Sequence, residues 1–235
     1  MRTARLYFDP LSPYAYLALS QAEGFGEEHE LHWHPRPVVY AALLDHHGLV
    51  GPVESEAKRR YTFADVLRCT QRLGLPLVGP PHHPFRSLEA LRVAALYQDA
   101  PNAVRLAAEL CYAAWGEGGD LGDWAVLERV ARDAGVPASE VASLRARCGL
   151  DSTKALLRAN TEDAIQRGVF GVPTFEFEGE LYWGHDRLEQ LSERVRGLLP
   201  PTGERVAELV QRPRGAERPA ARLSSPSESS RPAGR

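Results

Sequence analysis

A serine stands where the segment FDPLSPYAYL (8–17) turns from a short apolar strand into the first predicted helix. Ser12 followed by Pro13 is typical of a helix N-cap with proline at the first helical position. A helix N-terminus also presents free N–H groups and the positive end of the helix dipole, and a hydroxyl there can donate to an anion. A thiolate is such an anion. A site that stabilises the thiolate lowers the pKa of the corresponding thiol. The residues alone leave both interpretations of Ser12 open.

A proline precedes the third predicted strand, in the segment GVFGVPTF (168–175). Proline is excluded from central strands except at a first residue or a special turn, so a turn proline is the simplest interpretation. X–Pro bonds are cis in only about one case in twenty, and only an argument from the whole fold can favour a cis Val172–Pro173 bond. If the bond is cis, the backbone N–H and C=O of Val172 are free to pair with an extended ligand.

Two polar residues open the last predicted helix, in the segment YWGHDRLEQL (182–191). Asp186, next to His185, is either an N-cap or a first-turn acid that the helix dipole stabilises. Alternatively, its carboxylate binds an ammonium group of a ligand.

Composition narrows the classes of function. The chain has 235 residues, a formal net charge of −3 and no long block of like charge, which disfavours nucleic acid and anionic membranes as partners. No apolar run approaches the roughly 20 residues of a membrane helix, and the N-terminus lacks the apolar stretch of a secretory signal. The three cysteines form no CxxC motif, and no Cys or His pair has a spacing typical of a zinc site. We therefore expect a cytoplasmic protein with reduced thiols and no metal.

The order of the predicted elements indicates an α/β fold with a helical insertion. In chain order we predict a strand (4–8), a helix (13–27), a strand (31–39), helices within 40–165 (a short one near 41–47, then 55–74, 87–98, 102–116, 121–135, 137–148 and 151–167), a hairpin with a Glu178–Gly179 turn (172–184) and a closing helix (185–199). This order predicts a split thioredoxin-like domain (1–39 and 166–200) with an all-helical domain (40–165) inserted after the second strand. The tail (211–235) is rich in Pro, Ser, Arg and Gly, and we expect it to be disordered.

Five segments, taken together, resemble one family. They are FDPLSPYAYL, KRRYTFADVLR, HPFRSLEALR, GVFGVPTF and LYWGHDRL. In this order they resemble the 2-hydroxychromene-2-carboxylate isomerases and the kappa-class glutathione transferases, of the DsbA-like thioredoxin branch, over roughly residues 4–197. The resemblance implies a thioredoxin fold with an inserted helical domain, a cis-proline before the third strand and a glutathione site between the two domains.

The resemblance also implies roles for the residues at the two loops. The Ser12 hydroxyl faces the glutathione sulfur, at the position of the first cysteine of the CxxC motif in redox members. Because residues 12–15 read Ser-Pro-Tyr-Ala, we expect no dithiol–disulfide exchange. Val172, before Pro173, pairs with the glutathione backbone.

Further implied contacts lie at the two ends of the tripeptide. His185 and Asp186 hold the γ-glutamyl end, and Lys58 and Arg59 fall in the segment that supplies basic contacts. The family usually has Asn where this chain has Arg86. The Arg86 guanidinium could bind a substrate carboxylate bidentately, or it could point to solvent.

Three functions compete on this basis. The first is a glutathione-dependent isomerase of an aromatic-degradation route, in which a thiolate adds reversibly to the substrate and allows a bond to rotate. Tyr16, His83 or water are its candidate proton donors and acceptors. The second is a kappa-type thiol transferase, and the third is a non-catalytic DsbA-like protein that binds a thiol or a peptide. The thiol is glutathione or another low-molecular-weight thiol, the substrate is a small aromatic molecule, and homodimers are common in the family.

Overall fold

The structure is a computed structural model that describes residues 2–213 and 215. The strands of this part of the chain are β1 (Arg2–Phe8), β2 (Leu31–Pro37), β3 (Thr174–Phe177) and β4 (Glu180–Trp183). Its helices are α1 (Pro13–Glu28), α2 (Tyr40–His47), α3 (Glu56–Leu73), α4 (Leu88–Leu96), α5 (Ala103–Trp115), α6 (Trp124–Asp133), α7 (Ala138–Val141), α8 (Leu144–Gly149), α9 (Asp151–Gln166), α10 (Leu188–Val195) and α11 (Gly203–Val210), with 3₁₀ turns at Pro52–Glu54 and His185–Arg187. Most of the tail predicted to be disordered (211–235) lies outside the described residues.

The four strands form one sheet in the order β2–β1–β3–β4. β1 is parallel to β2, a pairing that requires a crossover connection such as α1, and antiparallel to β3. Because Tyr7 near the end of β1 pairs with Thr174 at the start of β3, the loop that follows β1 and the loop that precedes β3 meet at one edge of the sheet. This topology brings Ser12 to Val172.

Alternation along β1 divides the core between the two faces of the sheet. Ala4, Leu6 and Phe8 pack in the large cluster that includes residues of α1, α5 and α10. Tyr7 points to the opposite face and packs with residues of α2 and α9, such as Leu43. The sheet is therefore covered by helices on both faces, as expected for a thioredoxin-like fold.

The predicted helical insertion is confirmed, since every regular element between β2 and β3 is a helix. Residues Met1–Pro201 form one compact unit, and a second unit, Thr202–Arg235, contains α11, which the sequence interpretation did not include. The division of the first unit into a split domain and an inserted domain stays a prediction. Among the described helices, none combines the length and apolar character that crossing a bilayer requires.

Two predicted helices differ from the structure. The helix predicted over 137–148 is divided into α7 and α8, where Ser143 leaves the helical conformation and its hydroxyl donates to the Glu140 carbonyl at 3.0 Å. Serine side chains compete in this way with helical backbone hydrogen bonds. The helix predicted over 185–199 begins as a 3₁₀ turn and ends at Val195, shortly before Gly197, which has a φ of +74°.

The short segment 38–40, which joins β2 to α2, is held by three consecutive amides. The Val38 amide donates to the carbonyl at the end of β1 at 3.0 Å. The Val39 amide donates to the Thr161 hydroxyl of α9 at 3.1 Å, and the Tyr40 amide donates to the Asp9 carboxylate at 3.1 Å. The beginning of the helical block is therefore bound to β1, α9 and the loop that carries Ser12.

Candidate active site

Ser12 lies at the edge of the sheet where β1 ends, and its side chain reaches the loop before β3. The Ser12 hydroxyl donates to the Val172 carbonyl oxygen at 3.2 Å. Ser12 occupies the N-cap position of α1, as predicted, but its side chain makes no capping hydrogen bond to the first-turn amides. The Ser12 hydroxyl therefore joins two loops instead of closing the end of the helix.

Two backbone amides beside this contact have no partner. The amide of Tyr14, in the first turn of α1, and the amide of Val172 make no hydrogen bond within the described part of the chain. The Val172–Pro173 peptide bond is cis. Free amides at a helix N-terminus favour an anion, and a free amide on an extended segment can pair with a peptide backbone.

The loop that carries Ser12 is anchored by buried side chains. The carboxylate of Asp9, which is 1% exposed, accepts from the amides of Leu11 at 2.9 Å and Tyr40 at 3.1 Å. Burial raises the pKa of this carboxyl, although the hydrogen bonds it accepts act in the opposite direction. The Trp115 indole donates to the Pro10 carbonyl at 2.9 Å. These contacts fix the loop from both sides.

His83 adds a further contact to the same loop. Its Nε2 lies 3.2 Å from the Leu11 carbonyl oxygen, which can only accept, so Nε2 carries the proton. Burial lowers the pKa of His83, which favours the neutral imidazole. Nδ1 is buried and has no hydrogen-bond partner among the described groups. The ring packs against Phe63 and Trp115 at 5.4 and 5.2 Å between centroids. Arg59 donates to the His83 carbonyl at 3.4 Å.

A second cluster forms where α1, α3 and the His185 turn meet; we call Tyr14, Asp65, Cys69 and His185 the Tyr14 cluster. The Tyr14 hydroxyl donates to Asp65 at 2.9 Å, and its ring stacks on the His185 imidazole with centroids 5.6 Å apart and planes 8° apart. The Cys69 Sγ lies 3.7 Å from His185 Nε2. Burial lowers the pKa of His185 and raises that of Cys69. The cluster connects Ser12, two residues before Tyr14, to the turn implied to hold a ligand.

The other implied glutathione contacts are more exposed. Asp186 caps no helix; its carboxylate is 3.3 Å from the guanidinium of Arg187 and open to solvent. Lys58 is exposed on α3, and its side chain makes no hydrogen bond or ion pair with a described residue. Of the two adjacent basic residues, it is Arg59 that contacts the His83 segment.

Two candidate substrate residues have side chains that are paired with groups other than Ser12 and Val172. The Tyr16 hydroxyl donates to the Pro76 carbonyl at 2.9 Å in a residue that is 1% exposed, and burial raises its pKa to about 12. The structure therefore places Tyr16 in the core, with its hydroxyl engaged by the Pro76 carbonyl. The Arg86 side chain is 76% exposed and 3.7 Å from Glu89, so it takes the second of its two predicted orientations, towards solvent.

Two cavities in the described part of the chain are lined by residues outside the Ser12 loop. One, of about 660 Å³, is lined by residues such as Arg5, His34 and Glu176. Its principal charges are paired, because Arg5 lies 3.0 Å from Glu176. Within the described residues, no group of three or more His, Cys, Asp or Glu side chains is arranged to hold a metal ion. The groups suited to chemistry are those at Ser12, Val172 and the Tyr14 cluster.

Comparison with known proteins agrees with this architecture. The family model of the DsbA-like thioredoxin domain matches residues 3–196. The chain belongs to the DsbA-like thioredoxin family. A 2-hydroxychromene-2-carboxylate isomerase of Pseudomonas putida is 32% identical to it over 200 residues, which are 82% of this chain and 93% of the relative. Glutathione S-transferase kappa 1 of Rattus norvegicus is 24% identical over 216 residues, 86% of this chain and 96% of the relative.

A solved structure of a 2-hydroxychromene-2-carboxylate isomerase matches with a TM-score of 0.75 and 26% identity, covering 88% of this chain and 98% of that one. The resemblance to isomerases and kappa-class transferases, inferred from five segments, is thereby confirmed. The thioredoxin-like fold class is confirmed as well.

Sequence interpretation of this DsbA-like protein missed four residues that shape the site: Asp9, Asp65, Cys69 and Trp115. Asp65 and Cys69 are four positions apart and lie on one face of α3, a spacing that is visible in the sequence. That spacing does not show which element the face contacts. Asp9 could be seen only as a residue that ends a strand, because its partners come from distant segments.

Proposed function

We propose that the protein is a glutathione-dependent isomerase that acts on 2-hydroxychromene-2-carboxylate or a related aromatic-degradation intermediate. The observation that supports it most is the pair of loops at one edge of the sheet. There Ser12, at the N-terminus of α1, lies in hydrogen-bond contact with Val172, and the amides of Tyr14 and Val172 have no partner among the described residues. Relatives named as isomerases match along most of the chain.

The groups present fit a thiol tripeptide such as glutathione. The free amide of Tyr14 and the dipole of α1 suit a sulfur anion. The free Val172 amide suits a peptide carbonyl, in the manner of strand addition. Asp65 and Asp186 place two carboxylates beside His185, where they suit an ammonium group, while the imidazole suits a carboxylate.

Glutathione, when bound, would supply a thiolate able to add to a conjugated substrate, so that the attacked double bond becomes a single bond, the substrate rotates about it, and expulsion of the thiolate restores the double bond. The residues of the chain hold that sulfur as an anion: Ser12 turns its hydroxyl from the Val172 carbonyl to the sulfur, and the first turn of α1 adds its free amide. His83 fixes the loop through Leu11, and Asp9 does so from inside the protein. The amides are thus oriented before the ligand arrives.

A kappa-type glutathione transferase is the second candidate function. Arg86, at a position where the isomerases usually have Asn, is exposed to solvent and paired with Glu89. The isomerase-like contact expected from that Asn is therefore missing, which favours a site that binds the same thiol but takes another electrophile. The kappa-class relatives also match over most of the chain.

Activity of the purified full-length protein with 2-hydroxychromene-2-carboxylate, with and without glutathione, tests the proposal. We expect glutathione-dependent isomerisation that Ser12→Ala abolishes and that the control Ser20→Ala retains, since Ser20 is exposed on the same helix and its hydroxyl donates to the Leu17 carbonyl, away from Val172. Conversion of chlorodinitrobenzene without turnover of the chromene would favour the transferase. Glutathione binding without turnover of either compound would indicate a non-catalytic binding protein.

A further inference from the structure

The thiol of Cys69 lies against the imidazole of His185 at the meeting point of three elements. The Sγ atom is 3.7 Å from Nε2, and the two residues are 116 positions apart in the chain, so the contact exists only in the folded protein. Tyr14 stacks nearly parallel to the same imidazole, which fixes the plane of the ring. The position of the ring proton is then the main freedom left to His185.

The surroundings of the pair favour neutral partners. Burial raises the pKa of Cys69, and the nearby Asp65 and Asp186 carboxylates act in the same direction, while Arg72 opposes them. Burial lowers the pKa of His185. A neutral thiol has one S–H to donate and a neutral imidazole has one bare nitrogen to accept it. Donation from Sγ to Nε2 satisfies both, and the imidazole proton then resides on Nδ1.

The Nδ1 atom of His185 faces no protein acceptor. It has no hydrogen-bond partner within the described part of the chain, and it is not among the buried side-chain atoms that lack one. An Nδ1–H group at this position is therefore a donor open to a ligand. Carboxylates are the acceptors that pair most strongly with such a donor.

We propose that Cys69 is a positioning residue, which holds His185 in the Nδ1–H tautomer so that this group donates to a free carboxylate of the bound thiol tripeptide. The inference rests on the proposed function, in which His185 holds the γ-glutamyl end of glutathione. Without the thiol, the imidazole distributes between its two tautomers. The apparent Kd then rises by the inverse of the competent fraction, so a fall of that fraction to about one fifth weakens binding about fivefold.

Nitrogen NMR of the imidazoles tests whether Cys69 holds His185 in the Nδ1–H tautomer. The spectra are recorded on the ligand-free protein, above the pH range in which histidine titrates. The His185 signals are assigned by their absence from the His185→Asn variant. We expect the Nδ1–H tautomer in the wild type and in Cys69→Ser, whose hydroxyl also donates. Cys69→Ala should give a mixture, and Cys148→Ala, which removes a buried thiol elsewhere, should not change the His185 signals.

Calorimetric titration with glutathione tests whether the Nδ1–H group of His185 contributes to binding of the tripeptide. We expect binding to weaken about fivefold in Cys69→Ala and to stay close to the wild-type value in Cys69→Ser and Cys148→Ala. In His185→Asn the side-chain amide supplies a donor near the Nδ1 position by itself. Adding Cys69→Ala to that variant should therefore have no further effect.

The outcomes separate this inference from the proposed function. The positioning role is overturned if Cys69→Ala binds glutathione as tightly as the wild type does. It is also overturned if His185 of the wild type is in the Nε2–H tautomer. Either result leaves the proposed function standing. Failure of the wild type to bind glutathione, with the Nδ1–H tautomer still dependent on Cys69, refutes the proposed function and with it the ligand half of the inference.

Discussion

At the scale of single residues, the site depends on side chains that stay uncharged because they are buried. His83 and His185 both have pKa values lowered by burial, and each uses one ring nitrogen for a contact inside the protein. A proton added to either ring places a charge on a partly buried group, which burial disfavours. The two imidazoles therefore connect the stability of the site to pH.

His83 gives a prediction for acid stability. Its pKa in the folded protein lies below its ordinary value of 6.5, so the unfolded chain binds a proton over a pH range in which the folded protein does not. The contribution of neutral His83 to the free energy of unfolding is complete above the ordinary pKa of histidine. It is lost as the pH falls through the pKa of His83 in the folded protein. His83→Gln cannot titrate but can still donate to the Leu11 carbonyl, so its urea midpoint should fall less steeply with pH.

The exposed neighbour His82 supplies the control, because His82→Gln should keep the wild-type slope. His34 and His185 also have lowered pKa values, so part of the slope should persist in His83→Gln. Identical slopes for all three proteins would show that His83 titrates normally.

Arg86 and Arg59 give a second residue-scale prediction. Arg86→Ala removes an exposed side chain and a weak surface ion pair, and should change the free energy of unfolding by less than about 0.5 kcal/mol and leave glutathione binding intact. Arg59→Ala removes the donor to the His83 carbonyl and should weaken glutathione binding. Titration calorimetry with glutathione compares the affinities of the two variants. A larger loss of binding in Arg86→Ala than in Arg59→Ala would show that Arg86 contributes to the site.

At the scale of elements, the turn before β3 is shaped by an aromatic side chain from β4. The Trp183 indole lies over Gly171, where an added Cβ would be 2.6 Å from Nε1, and Phe170 packs on the same indole at 4.9 Å between centroids. The Gly184 amide donates to the Pro173 carbonyl at 2.9 Å. The β4 end therefore holds the turn that presents Val172.

Gly171→Ala should accordingly displace Trp183 and lower the free energy of unfolding by about 1–3 kcal/mol, as overpacking generally does. Because the clash involves one indole, the same substitution should cost much less in a Trp183→Ala background. Urea denaturation of the single and double variants measures this coupling. Gly149→Ala is the control, since an added Cβ there meets nothing within 4 Å, and equal costs for the two glycines would contradict the steric explanation.

The elements themselves were largely predictable from the sequence, for local reasons. The Glu178–Gly179 turn has φ values of +51° and +82°, the geometry of a two-residue hairpin, and the sequence marks it with a glycine between alternating strands. The start of α6 also has a local signal, because Asp123 is a favoured N-cap residue and its carboxylate accepts from the Ala125 amide at 2.9 Å. Ser143 was not recognised as a break, because serine is also common inside helices.

The site was less predictable, because its geometry comes from contacts between distant segments. Ser12 could be singled out from its place at a helix start, but its bond to Val172 spans 160 positions. The orientation of Arg86 depends on a neighbouring carboxylate and a choice of rotamer. The spacing of Cys69 from Asp65 places them on one face of α3 but does not indicate the partner of Cys69, since His185 belongs to another part of the chain.

At the scale of the whole molecule, the sheet and its helices form one unit and the C-terminal part forms another. The composition of the tail predicts that it adds no apolar surface to the core. Removing residues 212–235 should therefore leave the melting temperature and the proposed glutathione-dependent activity unchanged. Calorimetry and turnover of the shortened protein check this, and a clear fall in either would show that the tail contacts the folded part.

The segment 38–40 has a consequence for how relatives of this protein can differ in length. Loops usually accept inserted residues, but here three successive amides are bound to β1, α9 and Asp9. One added residue would shift every one of these bonds and would move the Asp9 carboxylate that shapes the Ser12 loop. Evolution should therefore have placed insertions and deletions elsewhere in the helical block, and this junction should keep a constant length across the family.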